Sequence, residues 1–177
     1  MKIRLPSIKH DQSGFEAITN LNARTQDCHL QQIELDLGLT NWLDADMCAA
    51  LGAILYGLSS RLNNTELTNI QPSVEKILSK NGFLSNYGRN SIPDKWGTTI
   101  PYHRFEIKDG RYFASYIEKE LVQRKEIPRM SVGLLKRFRE SVYEIFSNAV
   151  GHSQTKLGIF SCGQFFPRNH CLNLSVA

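Results

Sequence analysis

No apolar run in this chain approaches the roughly 18 residues that a membrane-crossing helix requires, so no membrane span is expected. The start, Met1-Lys-Ile-Arg-Leu-Pro-Ser7, carries positive charge but lacks the apolar stretch of a secretory signal, and a cytoplasmic location is expected. Cys28, Cys48, Cys162 and Cys171 contain no C-x-x-C pair. Free, mostly buried thiols in a reducing compartment follow from that spacing; the other reading, a metal corner at Cys162, His170 and Cys171, lacks a fourth ligand. Internal repeats and low-complexity tracts are absent too. The net charge is only +4, and Lys119, Arg124, Lys125, Arg129, Lys136, Arg137 and Arg139 interleave with Glu118, Glu120, Glu126 and Glu140. That is the pattern of a solvated helical face, without the aromatic-and-basic alternation that stacks bases, so no nucleic-acid partner is expected.

What is present is an ordinary globular composition, 41% hydrophobic over 177 residues, enough for one ample core or two small ones. The turn-forming stretch Ser85-Asn-Tyr-Gly-Arg-Asn-Ser-Ile-Pro-Asp-Lys-Trp-Gly97 marks a seam. It divides the chain into a first domain over 1–90, a linker over 91–97 and a second unit over 98–177.

Before the seam, strand and helix signals alternate. Residues 29–37, with Leu30, Ile33, Leu35 and Leu37, predict a strand. A loop over 38–44 follows, with Asp44 placed to cap a helix over 45–62 that carries Met47, Leu51, Ile54, Leu55 and Leu58 at helical spacing. The small residues Ala49, Ala50, Gly52 and Ala53 would let that helix pack closely on a sheet. Residues 64–70 predict a second strand, and 72–80 a second helix with Pro72 in its first turn and Gly82 just past its end. Strand, helix, strand, helix in so short a span implies a small α/β sandwich.

After the seam, 98–107 predicts a strand that Pro101 confines to an edge or an end. A helix over 111–124 shows Phe113, Tyr116, Ile117 and Leu121 on one face, and Pro128 interrupts. Ser131 caps a longer helix to about Gly151, whose apolar row is Leu134 or Leu135, Phe138, Val142, Ile145, Phe146 and Ala149. A β-hairpin follows, with strands over 156–161 and 171–176 and its connection over 166–169.

The chemistry-bearing stretch lies on the long helix. Glu140, Glu144, Asn148 and His152 fall on one i, i+4 row. Spacing alone leaves two readings: a polar face turned to water, or a functional row. Asparagine prefers caps to helix interiors, which favours the second at Asn148.

The segment Glu144-x-x-x-Asn148-Ala149-x-x-His152 resembles the N-box of the GHKL ATPase superfamily, which includes gyrase, heat-shock chaperones, mismatch-repair ATPases and histidine kinases. The anti-sigma-factor serine-kinase branch, with E-x-x-x-N-A-x-x-H on a long helix, is the most similar. That resemblance implies part of a Bergerat-type α/β sandwich. It implies that Asn148 holds the Mg²⁺ bridging the ATP phosphates, that Glu144 orients or deprotonates the attacking water or hydroxyl, and that His152 contacts phosphate. The family's next motif, D-x-G-x-G, follows a strand similar to 172–177. The chain stops where its aspartate is due, and the ATPase domain is therefore expected to be incomplete and the fragment inactive. Nothing resembles a dimerisation helix with a phospho-accepting histidine, which points to a serine kinase or plain ATPase.

The first domain resembles a STAS domain, on the strand Ile33-Glu-Leu-Asp-Leu37, the loop 38–44 and the helix start Ala45-Asp-Met-Cys-Ala-Ala-Leu51. Signalling members read D-S-S-G-L at this junction and carry phosphate on the second serine; here Asp46 stands in that place. Either Asp46 has a regulatory role or it is a favourable charge at a helix N-terminus. Together the two resemblances imply an ATP- and Mg-dependent signalling protein that meets a protein partner through either part. Two other readings stand beside it: a non-catalytic STAS-like interaction protein or scaffold, and an α/β domain with no nucleotide connection. The sheet edge at 171–177 can also pair between two copies as a homodimer.

Overall fold

A computed structural model of the chain describes residues 1–125, 129–153 and 155–177. Its first sheet is parallel throughout, in the order β1 (Lys2–Arg4), β2 (Gln32–Asp36), β3 (Asn64–Thr68). Parallel neighbours need crossover connections. These are α1 (Gln12–Thr25) and, after a 3-10 turn at Ala45–Met47, α2 (Cys48–Ser60). Period-two alternation sends Ile3, Ile33, Leu35 and Leu67 into a core with Leu21 of α1 and Leu55 of α2. The alternate positions carry charge: Lys2 Nζ lies 2.8 Å from Glu34 and 3.1 Å from Asp36.

The helix α3 (Pro72–Lys80) adds Val74 and Leu78 to the same core. Pro72 opens it, and Gly82 at φ 77° follows it in the left-handed region that glycine enters freely. A 3-10 turn, Phe83–Tyr87, buries Phe83 and Leu84.

The second sheet is antiparallel, in the order β4 (Thr99–Phe105), β5 (Ile159–Phe166), β6 (Cys171–Val176). Pro101 sits on the edge strand β4, where its missing N–H does least harm, beside a register irregularity between Ile100 and His103. The central strand β5 is buried on both faces. Phe160 and Cys162 join the core around α2, while Ile159 and Phe165 join a second core. That second core takes Phe113 and Ile117 from α4 (Gly110–Ile117), Leu121 from a π-helical turn at Glu118–Val122, and Val142 and Phe146 from α5 (Val132–Ser153).

Thus α2 lies between the two sheets. Its buried residues Cys48, Ala49, Leu51, Gly52, Leu55, Gly57 and Leu58 run round its circumference, as expected of a helix with little solvent face. The stretch between the sheets is tied down through Asp94, whose carboxylate accepts the Thr99 N–H at 2.7 Å and Lys80 Nζ at 3.1 Å.

Several expectations change. Leu30 is exposed at φ 54° and outside the strand, which begins at Gln32. Both β1 and α1 lie in a region where no element was expected. The Asp44 carboxylate does not cap the following turn; it accepts the His10 N–H at 2.8 Å and Trp42 Nε1 at 2.8 Å instead. On α5, Leu134 and Ile145 are exposed, and the apolar row narrows to Val142 and Phe146 with Phe138 and Ala149 partly buried. Ser131 does cap α5, its Oγ accepting the Leu134 N–H at 3.3 Å. Glu126 and the break at Pro128 lie outside the described residues. No described helix is long and apolar enough to cross a membrane.

Candidate functional site

The row on α5 follows from helical periodicity. Val142 and Phe146 bury one side against the second sheet, and Arg139 and Tyr143 lie on the flank that meets α4. There Arg139 makes two bonds to Glu118, at 2.9 and 2.7 Å, and the Tyr143 hydroxyl lies over Gly110. At 100° per residue, Glu144, Asn148 and His152 come round on the flank turned away from α4, and all three are exposed. Glu140, at the start of the row, lies 3.9 Å from Lys136.

Side chains four apart on a helix have Cβ atoms about 5–6 Å apart. The Glu144 carboxylate and the Asn148 amide are thus close enough to meet one ligand. Among the described residues, neither they nor His152 forms a side-chain hydrogen bond or ion pair, and none lines any of the five main cavities. The row is an open, convex surface of unengaged polar groups. It offers one neutral amide oxygen and one carboxylate, a donor set suited to a hard cation that keeps most of its ligands from water or phosphate.

Asp46 has a different setting. It is fully buried, and its Oδ2 accepts His10 Nδ1 at 2.5 Å and Ser175 Oγ at 3.0 Å; Oδ1 has no partner among the described residues. Asp46 lies in the first turn leading into α2, where a negative charge is favoured, but its carboxylate accepts no N–H of that turn, and the Ala45 N–H goes instead to Gln164 Oε1 at 2.9 Å. A position this deep, covered by β6, is also closed to a modifying enzyme. His10 is the residue that sequence reasoning missed: 36 positions from Asp46, in an unassigned stretch, it gave no signal. With Trp42, Asp44, Cys171 and Asn173 it borders a cavity of about 740 Å³.

Cys28, Cys48 and Cys162 are buried free thiols and Cys171 is exposed. Cys162 lies in the core, with its thiol pushed well up by burial and by its neighbour Cys48. Cys171 pairs with Phe166 at the far end of the hairpin. The described residues bring no three His, Cys, Asp or Glu side chains together as a metal site.

Compared with protein families, with curated proteins and with solved structures, the chain matches none. Its function has to be argued from its own side chains.

Proposed function

We propose that the chain belongs to an ATP-binding signalling protein of the GHKL type, an ATPase or protein kinase, with a STAS-like regulatory module over residues 1–90. One observation carries the reading. Glu144 and Asn148 stand one turn apart, exposed and unengaged, on the helix whose other side is buried on a sheet that ends in an antiparallel hairpin. The order of strand β4, helices α4 and α5 and the β5–β6 hairpin is compatible with the strand–helix–helix and hairpin pattern on which the resemblance rests.

In this reading the Asn148 amide oxygen is the protein's ligand to Mg²⁺. When bound with ATP, that ion neutralises the phosphate charge. Glu144, one turn earlier, orients or deprotonates the attacking water or hydroxyl, and His152 donates to a phosphate oxygen. Among the described residues, no protein partner has to be displaced from Glu144, Asn148 or His152 for this.

The test is Mg·ATP binding and turnover by the full-length protein that contains this chain. Asn148→Ala should weaken Mg-dependent binding at least about tenfold, and Glu144→Gln should keep binding yet lose about 10²–10⁴-fold in turnover. Both positions are exposed, so each variant should keep its stability within about 0.5 kcal/mol. Unchanged Mg·ATP binding in Asn148→Ala would remove the metal role. No nucleotide binding by the full-length protein would leave the interaction-protein reading.

A further inference from the structure

A cavity of about 830 Å³ opens between the free edges of β3 and β4, within the range of small-molecule sites. Its floor is α2, through Gly52, Leu55 and Tyr56, with Phe160 of β5 behind. It lies on the α2 side of the second sheet, whereas α5 packs on the other side. It is therefore separate from the Glu144–Asn148 row and does not depend on the nucleotide reading.

Two glycines make room for two of its residues. A Cβ on Gly52 would collide with the hydroxyl end of Tyr102. Gly158, at φ 97°, adopts a conformation that side chains resist, and a Cβ there would lie 3.0 Å from Arg104 Nε. Arg104 is held at two further points. Its Nε–H donates to the Leu157 carbonyl at 2.6 Å, and its Cζ lies 4.4 Å from the centre of the Tyr56 ring.

That anchoring uses one of the five guanidinium N–H groups. Among the described residues, the other four have no acceptor and no carboxylate pairs with Arg104. The hydroxyls of Tyr87 and Tyr102, both lining the cavity, also lack partners there. Burial pushes both phenols up, so they remain protonated donors at neutral pH. The rings Tyr56, Phe160 and Tyr102 form the aromatic wall of the cavity, with successive centroids 5.6 and 6.2 Å apart, and Phe83 backs Tyr102 from the core. Arg89, at the rim, is already tied to Glu75, and Glu66 is the one carboxylate among the lining residues. Donors held in place without a protein acceptor, beside aromatic rings, suit an anion that carries a ring.

We propose that this cleft is a binding site for a small aromatic anion, with its carboxylate or phosphate on Arg104 and the tyrosine hydroxyls and its ring against the aromatic wall. The guanidinium fork suits either anion, and the choice between them is an arm of the test.

The experiment is an amide chemical-shift titration of the chain with phenyl phosphate, benzoate, phenol and inorganic phosphate. Saturable shifts should map to β3, β4 and α2 with one or both aromatic anions, and the tighter of these identifies the anion. Phenol and inorganic phosphate should bind at least about tenfold more weakly, since each keeps half of the recognition. Arg104→Gln should weaken the aromatic anion at least about tenfold and Tyr102→Phe about threefold, with Arg89→Gln near wild type. No shift in the cleft at millimolar ligand, or equal affinity in a folded Arg104→Gln, overturns the site. If Arg104→Gln does not fold, Tyr102→Phe decides, and an unchanged affinity there overturns it as well.

Discussion

The Ala45 N–H donates to Gln164 Oε1 at 2.9 Å, so the first turn leading into α2 is capped by a residue of β5, 119 positions later. Ala45 is fully buried, so its N–H depends on that acceptor. Gln164→Ala should therefore cost about 1–3 kcal/mol, read as a lower urea midpoint with an unchanged slope. A midpoint equal to wild type would mean that the bond does not hold the two sheets' elements together.

Asp46 makes a second prediction. His10→Ala leaves the buried Asp46 carboxyl without its nearest partner and should cost about 1–3 kcal/mol. Ser175→Ala removes a neutral donor from the same oxygen and should cost about 1 kcal/mol. Thermal denaturation of the two variants compares them directly, and equal losses would mean that the imidazole supports Asp46 no better than a neutral hydroxyl does.

A third concerns pH. Burial pushes the Asp94 carboxyl up, but the Thr99 N–H and hydroxyl and the Lys80 ammonium together outweigh it and bring it down to about 2. A carboxyl lower in the folded than in the unfolded chain stabilises the fold above its unfolded value of about 3.9. That contribution is lost as pH falls from about 4 to about 2. Discounted for partial exposure, it amounts to about 1–2 kcal/mol at neutral pH. Asp94→Asn should lower stability by that amount at pH 7 and flatten the acid limb, as followed by urea unfolding at stepped pH. An unchanged acid limb would place the titration elsewhere.

The elements with strong periodicity are legible in the sequence. The rows Leu51, Leu55, Leu58 and Val142, Phe146 each announce their element because burial is what selects those residues, and the alternation through β6 marks Leu172, Leu174 and Val176, which pack partly buried against the second core. The first 28 residues are not legible in this way. In β1 only Ile3 is buried within the strand, and α1 spreads Ile18 and Leu21 among asparagine, threonine and an exposed Phe15. Tertiary packing, not local pattern, decides both. The candidate row Glu144, Asn148, His152 can be read because an i, i+4 spacing is local. The His10–Asp46–Ser175 contact and the Arg104 cleft cannot, since each joins residues from distant parts of the chain. The Asp44 cap fails for a related reason: its carboxylate finds Trp42 and His10, while a glutamine far downstream takes the helix end.

A helix hidden between two sheets cannot belong to either alone. Expressed without residues 98–177, the first half would bare the side of α2 that Phe160 and Cys162 now cover, a greasy strip inviting aggregation. The second half alone would lose one wall of β5. Each half is thus the other's solvent shield, and the intact chain should melt in one concerted step.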